Sequence, residues 1–377
     1  IDQGRLNLGE ITGGVAYQPS VDGGATLVRD VEWQGSTAVD RLPGDLIARL
    51  KVQRDVLDLT QNLDLLEKLL VADEVGVELD DAAPLVLRDA TDELAADLHV
   101  DRHWLQECVE LLRDRPQMIF YGPPGTGKTY IAQALGEHLA GENVRLVQFH
   151  PSYSYEDFFE GFRPTTSGGF ELRPGPMRRI VDQAVANPRD AHVLIIDEIN
   201  RGNLAKVFGE LYFLLEYRDR NVELLYGDGD FTLPANVLLI GTMNTADRSI
   251  ALVDAAMRRR FAFVALHPSE PPISDMLRTW LHRRGRPERV ADLLGELNRQ
   301  IVDPDFKVGP SYFMRERVFE TGGLERVWRT SILPLLDEHH FGEMSGDEVR
   351  ARYGYAAISE RVDRPQFEND DASPRSD

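Results

Sequence analysis

The chain has 377 residues, enough for two or three domains with ample cores, and 42% of them are hydrophobic. Its 42 lysines and arginines stand against 63 acidic residues, a formal net charge of −21. A surface that acidic argues against a broad nucleic-acid-coating face and against a membrane surface, while leaving room for a local basic patch. The single cysteine, Cys108, excludes an internal disulfide and suits a reducing cytoplasm; within WLQECVELL it falls on an apolar helix face. No run approaches eighteen uninterrupted apolar residues, so no membrane contact is expected. A chain opening on Ile1 is expected to be the later part of a longer protein.

Residues 1–58 read as β-rich, with short apolar stretches broken by Gly13-Gly14 and Gly23-Gly24. Residues 59–116 read as a helical linker. LTQNLDLLEKLL carries leucines at heptad-like spacing, DEVGVELDDAAP is an acidic connector, and DRHWLQECVELLRDR leads into the next strand. His99 and His103 are four apart on this stretch, but no third metal ligand is near.

The centre of the sequence is QMIFYGPPGTGKTYIAQALG. An apolar run, Met118 to Tyr121, enters the turn Gly122-Pro123-Pro124-Gly125-Thr126-Gly127-Lys128-Thr129, and a helix leaves it through Tyr130. Ile131, Leu135 and Leu139 lie on one face of that helix, and Gly141 is its expected C-cap. Strand, glycine-rich turn and helix N-terminus make a phosphate cradle of backbone N–H groups. In that cradle Lys128 would reach the β- and γ-phosphates, and the Thr129 hydroxyl would ligate Mg²⁺. The pattern implies a nucleoside triphosphate site.

From 117 to 268, the apolar runs MIFY, VRLVQF, HVLIIDE, VLLIGTMN and FAFVAL alternate with helical segments, which predicts a parallel sheet covered by helices. Ligands of such sheets lie at the carboxyl ends of the strands. HVLIIDE ends there in Asp197-Glu198, a Walker B arrangement. Asp197 would hold Mg²⁺, largely through water, and Glu198 would orient and polarise the attacking water. VLLIGTMN places Asn244 at the next strand end, between γ-phosphate and water, as a sensor residue would be. Asp247 and Arg248 follow on the loop into a helix; the alternative for Asp247 is simple N-capping. Arg258, Arg259 and Arg260 close the following helix, and at least one is expected to reach across a subunit interface to the transition state.

Two stretches stay open at this level. FHPSYSYEDFFEGFRP and the loop TTSGGFELRPGPM are either packed core or an insertion facing nucleotide or substrate. YRDRNVELLYGDGDFTLPANV reads as a hairpin with Asp228 and Asp230 in its turn. From 269 to 360 the chain turns helical and is expected to form a lid, with Val290, Leu293, Leu294, Leu297 and Ile301 on one face and Pro334 kinking or ending a later helix. VGPSYFM between those runs is expected to face the nucleotide. Residues 361–377 read as a disordered tail.

The P-loop, Walker B pair, Asn244, terminal arginines and helical lid together resemble an AAA+ module. More narrowly, QFHPSYSYEDFFEGFRP, IIDEINRGNLAKVFGEL, MNTADRSIALVDAAMRRRF and VGPSYFM, spread over 117–345, resemble the McrB family, motor subunits of McrBC-like modification-dependent restriction systems. The resemblance implies a hexameric ring, hydrolysis of GTP or ATP with Mg²⁺, a McrC-like nuclease subunit as partner, and DNA containing modified bases. It implies Asn244 and Asp247 in the nucleotide motif, and Arg201 with Arg259 or Arg260 acting across the subunit interface. GTP is the founding preference of the family; nothing in GPPGTGKTY or around Asp247 chooses guanine over adenine.

At the other end, GEITGGVAYQP…RDVEWQG resembles the closing half of EVE/PUA-like barrels, which grip a flipped base among aromatics. Tyr17 and Trp33 would be such aromatics, or ordinary core and surface residues. The founding member's DNA-reading domain is not recognisable here, and no nuclease signature is read. Two alternatives stand beside the motor: a nucleotide-gated module that reads modified DNA with little turnover, and a MoxR-like remodelling chaperone.

Overall fold

The computed structural model describes residues 5–13, 16–19, 25–28, 31–38, 85–166, 168–226, 230–246 and 255–364. The chain divides into two compact units, residues 1–84 with 227–230, and residues 85–226 with 231–377. In the first, β1 (Arg5–Ile11) pairs antiparallel with β4 (Val31–Ala38), its register slipping between Leu8 and Gly9. β2 (Ala16–Pro19) and β3 (Ala25–Val28) form a second antiparallel pair. The expected β-rich character is therefore visible in the backbone. The side chains of Tyr17 and Trp33, and the stretch 59–84, lie outside the described residues.

The second unit opens with α1 (Asp92–Leu98) and α2 (Arg102–Asp114). The Asp101 carboxylate accepts from His103 N at 2.7 Å and Trp104 N at 3.3 Å, which fixes where α2 begins. Leu105, Cys108, Val109 and Leu112 then form a buried stripe at helical spacing. That stripe corrects the expectation of a linker over 59–116: Leu87, Ala90, Ala95 and Leu98 join it in one core. Cys108 is buried there, and burial pushes its thiol up to about 12.

β5 (Gln117–Gly122), α3 (Lys128–Ala140) and β6 (Val144–Gln148) follow, then α4 (Tyr155–Phe158), the hairpin β7 (Glu160–Pro164) and β8 (Phe170–Pro174), and α5 (Pro176–Ala186). Next come β9 (His192–Asp197), α6 (Leu204–Phe208), α7 (Leu211–Leu214), the short strands β10 (Val222–Glu223) and β11 (Asp230–Phe231), β12 (Val237–Asn244), α8 (Ala255–Arg260) and β13 (Ala262–Ala265). The five strands expected from apolar runs form one parallel sheet in the order β13-β5-β12-β9-β6.

Strand alternation distributes the apolar side chains to two cores. Ile119, Leu194, Ile196 and Leu239 join Met177, Ile180 and Val181 of α5 on one face. Met118, Phe120, Val193, Ile195 and Ile240 join Ile131 and Leu135 of α3 and Leu105 of α2 on the other. The open question about the aromatic stretch is answered residue by residue. Phe149, Tyr155, Phe158 and Phe159 are core, whereas Phe162 and Phe170 on the β7–β8 hairpin are exposed.

A polar lock closes the amino ends of the strands. Arg218 donates to the carbonyls of Pro234 at 3.0 Å, Val237 at 2.7 Å and Pro116 at 3.4 Å, and to Gln117 Oε1 at 2.8 Å. Gln117 Nε2 in turn donates to the Leu215 and Arg260 carbonyls at 2.6 and 2.7 Å. Burial pulls the Arg218 guanidinium down to about 9.

The lid contains α9 (Ile273–Arg283), α10 (Arg289–Gln300), α11 (Gly323–Val327), α12 (Leu333–His339), α13 (Gly346–Tyr353) and α14 (Tyr355–Asp363) around its own core. All five apolar residues expected on one face of α10 and just after it are buried. Pro334 stands at the start of α12, directly after a π-helical turn at Trp328–Ile332, so the helical run continues rather than stops. α14 extends to Asp363, beyond the expected start of a tail at 361, because Arg289 donates to Asp363 at 2.7 Å. No described helix is long and apolar enough to cross a membrane.

Candidate nucleotide site

β12 lies between β5 and β9, so the register sets three strand ends side by side. Asn244 is opposite Gly122, and Asp197 closes the neighbouring strand. The turn after β5 has positive φ at Gly122 (150°), Gly125 (80°) and Gly127 (86°), conformations open to glycine. Gly127 caps α3, whose N-terminus is aimed into the turn. The Lys128 ammonium, 7% exposed, donates to the Gly122 and Pro123 carbonyls at 3.0 and 2.8 Å. Burial brings it down to about 8, against the opposing pull of Glu198 and Asp197. Tyr130, expected beside the nucleotide, is 62% exposed.

The Thr129 hydroxyl donates to Asp197 Oδ1 at 2.6 Å, and the Thr242 hydroxyl donates to the same oxygen at 2.6 Å. Thr129 and Asp197 are thus an adjacent pair of oxygens of the type a hard cation takes, and Mg²⁺ fits them. The Glu198 backbone is left-handed, with φ 52°, a strain of roughly 1–3 kcal/mol for a side-chain-bearing residue. Both of its carboxylate oxygens are engaged: Oε1 accepts from Asn244 Nδ2, and Oε2 accepts from Arg201 Nε at 3.3 Å. Its own N–H donates to Thr242 Oγ1 at 3.2 Å. Asn200, buried one residue before Arg201, donates to the Asn244 carbonyl at 3.4 Å.

The structure therefore brings together Lys128, Thr129, Asp197, Glu198, Asn244 and Arg201. Thr242 and Asn200 belong to the same network and were not singled out from the sequence. Thr242 is two residues before Asn244 on one strand, so the alternation that placed the sensor also placed it. Asp247, Arg248 and Asp228, and the Asp230 side chain, lie outside the described residues.

The arginines separate. Arg258 and Arg259 are exposed. Arg260 is turned inward, paired with Glu216 at 2.8 Å and stacked over the Tyr212 ring at 4.4 Å. Of the two arginines expected to reach a neighbouring subunit, Arg259 or Arg260, Arg259 is the exposed one. Arg201, also expected to act on a neighbour, bonds Glu198 of its own chain.

Residues 117–261 match the model of the AAA domain of the dynein-related subfamily, and residues 289–347 match that of the McrB alpha-helical lid domain. A subunit of the type IV methyl-directed restriction enzyme EcoKMcrB from Escherichia coli K12 is 38% identical over 273 residues, 66% of this chain and 59% of that protein. Over these residues the chain resembles the McrB family of AAA+ proteins. The chain spans less than two thirds of the length of the Escherichia coli relative. A component of the type II restriction enzyme BsuMI from Bacillus subtilis, YdiS, is 26% identical over 71% of this chain and 93% of its own. A RuvB subunit of the Holliday junction branch migration complex from Limosilactobacillus reuteri is 28% identical over 43% of this chain and 42% of its own.

Proposed function

We propose that this McrB-like protein is the nucleotide-driven motor of a restriction system. In this reading it assembles as a hexameric ring in the cytoplasm, hydrolyses GTP in preference to ATP, and remodels or translocates modified DNA for a nuclease subunit. The carrying observation is the intact hydrolytic cluster, in which Asn244 and Arg201 hold both oxygens of Glu198 beside the Thr129–Asp197 pair. A module that only binds nucleotide has no need of a water-activating carboxylate held in place. The relatives supply the biological setting, since the Escherichia coli and Bacillus subtilis proteins are both named as restriction-enzyme components.

In the proposed reaction, the Lys128 ammonium leaves the Gly122 and Pro123 carbonyls for phosphate oxygens, while the N–H groups of the turn surround the β-phosphate. Thr129 and Asp197 would hold Mg²⁺, which supplies charge neutralisation at the phosphates. Glu198 takes the proton of the attacking water, and Asn244 fixes the carboxylate that receives it. Arg259, exposed at the end of α8, would neutralise the transition state of the adjacent subunit, an arrangement that only a ring completes. We assign the first 58 residues to the end of an EVE/PUA-like DNA-reading domain.

The test is phosphate release from the purified full chain with GTP and with ATP, each with and without modified DNA and the nuclease subunit encoded beside it. GTP-selective turnover raised by the nuclease subunit and DNA supports the motor. ATP turnover indifferent to both would replace it with a remodelling chaperone.

A further inference from the structure

The lid reaches the P-loop through one short segment. Gly309 N donates to the Pro124 carbonyl at 3.1 Å, and Ser311 N donates to the Gly125 carbonyl at 3.0 Å. The approach is backbone on backbone: a Cβ on Gly309 would stand 2.1 Å from the Gly125 carbonyl carbon, and one on Gly125 would stand 2.5 Å from the Tyr312 ring. With Lys128 bonded to the two preceding carbonyls, four successive carbonyls, 122 to 125, are all held.

The segment is gripped from behind as well. Asn298, buried on α10, donates Nδ2 to the Val308 carbonyl at 2.9 Å and accepts from Val308 N at 2.8 Å. Two bonds from one planar amide fix the orientation of the Val308 backbone as well as its position.

In a trans peptide the N–H points opposite to the C=O. Pinning the Pro124 and Gly125 carbonyls towards the lid therefore aims the N–H groups of Gly125 and Thr126 away from it. Pro123 and Pro124 have no N–H, so these two are the first amide donors the turn offers after Gly122. We infer that Asn298 is a positioning residue for the nucleotide: through Val308, Gly309 and Ser311 it sets the direction of the first two phosphate-binding amides. Asn298 touches no phosphate itself, and its effect is on affinity. The inference rests on the P-loop reading of the site.

The test uses the full chain, titrated with N-methylanthraniloyl ATP and GTP and assayed for phosphate release. Asn298→Ala and Gly309→Ala should each raise Kd and KM by about tenfold, the order expected for one or two lost hydrogen bonds, with kcat within about twofold. Asn298→Asp, which keeps the acceptor for Val308 N and loses the donor, should fall between. Lys128→Ala is the arm for the site itself: retained binding there would overturn the P-loop reading. Lost binding in Lys128→Ala beside unchanged KM in the two lid variants would overturn the positioning role alone. Should a lid variant fail to fold, amide exchange in the unaltered protein decides. Slow exchange at Gly309 and Ser311, slowed further by nucleotide, supports the clamp, and exchange at the rate of an open chain contradicts it.

Discussion

At Lys128 the same burial that would make the side chain a strong phosphate ligand in the proposed motor also makes it titratable near neutrality. Its ammonium is down at about 8. Below pH 8 it is already charged when nucleotide arrives; above, binding must take up a proton. Nucleotide affinity should therefore be insensitive to this group below pH 8 and fall by about tenfold per unit above it, measured as Kd across a pH series. The arginines at the end of α8 divide in a comparable way between structure and chemistry. Arg260→Ala removes an ion pair with Glu216 and a ring contact with Tyr212, costing about 1–3 kcal/mol, and should lower the melting temperature by several degrees. Arg259→Ala should leave the melting temperature unchanged and reduce turnover.

Among the elements, the sheet was legible because β5, β9 and β12 are apolar on both faces, which only a covered parallel strand satisfies. Asp197 was legible for the same reason, as the first polar residue after such a run, and Asn244 as the residue that ends its strand. The inward turn of Arg260 was not. Successive residues of a helix point about 100° apart, so three arginines in a row cannot share one face, but Glu216 and Tyr212, which decide the loser, come from a distant part of the chain. The contact of Gly309 with Gly125 is equally non-local, and only the expectation that VGPSYFM faces the nucleotide hinted at it. The polar lock at the strand starts was invisible too, because Arg218 reads as one more charge in YRDR. Arg218→Ala removes four hydrogen bonds at the strand starts and should cost about 3 kcal/mol or more, read by denaturant unfolding.

For the whole molecule, one chain brings together Thr129, Asp197, Glu198 and Asn244, while Arg259 is exposed. If Arg259 serves the neighbouring site, Arg259→Ala and Lys128→Ala proteins, each inactive alone, should recover turnover when mixed, since the first keeps an intact P-loop and the second an intact arginine. No recovery at any ratio would confine Arg259 to its own chain.

In the proposed motor Glu198, held by Asn244 and Arg201, drives hydrolysis at a site built by Lys128, Thr129 and Asp197. Phosphate release from Glu198→Gln, measured beside nucleotide binding, tests it most directly. Kd should be unchanged and turnover lowered about a hundredfold or more. Hydrolysis at the native rate with nucleotide bound would contradict it.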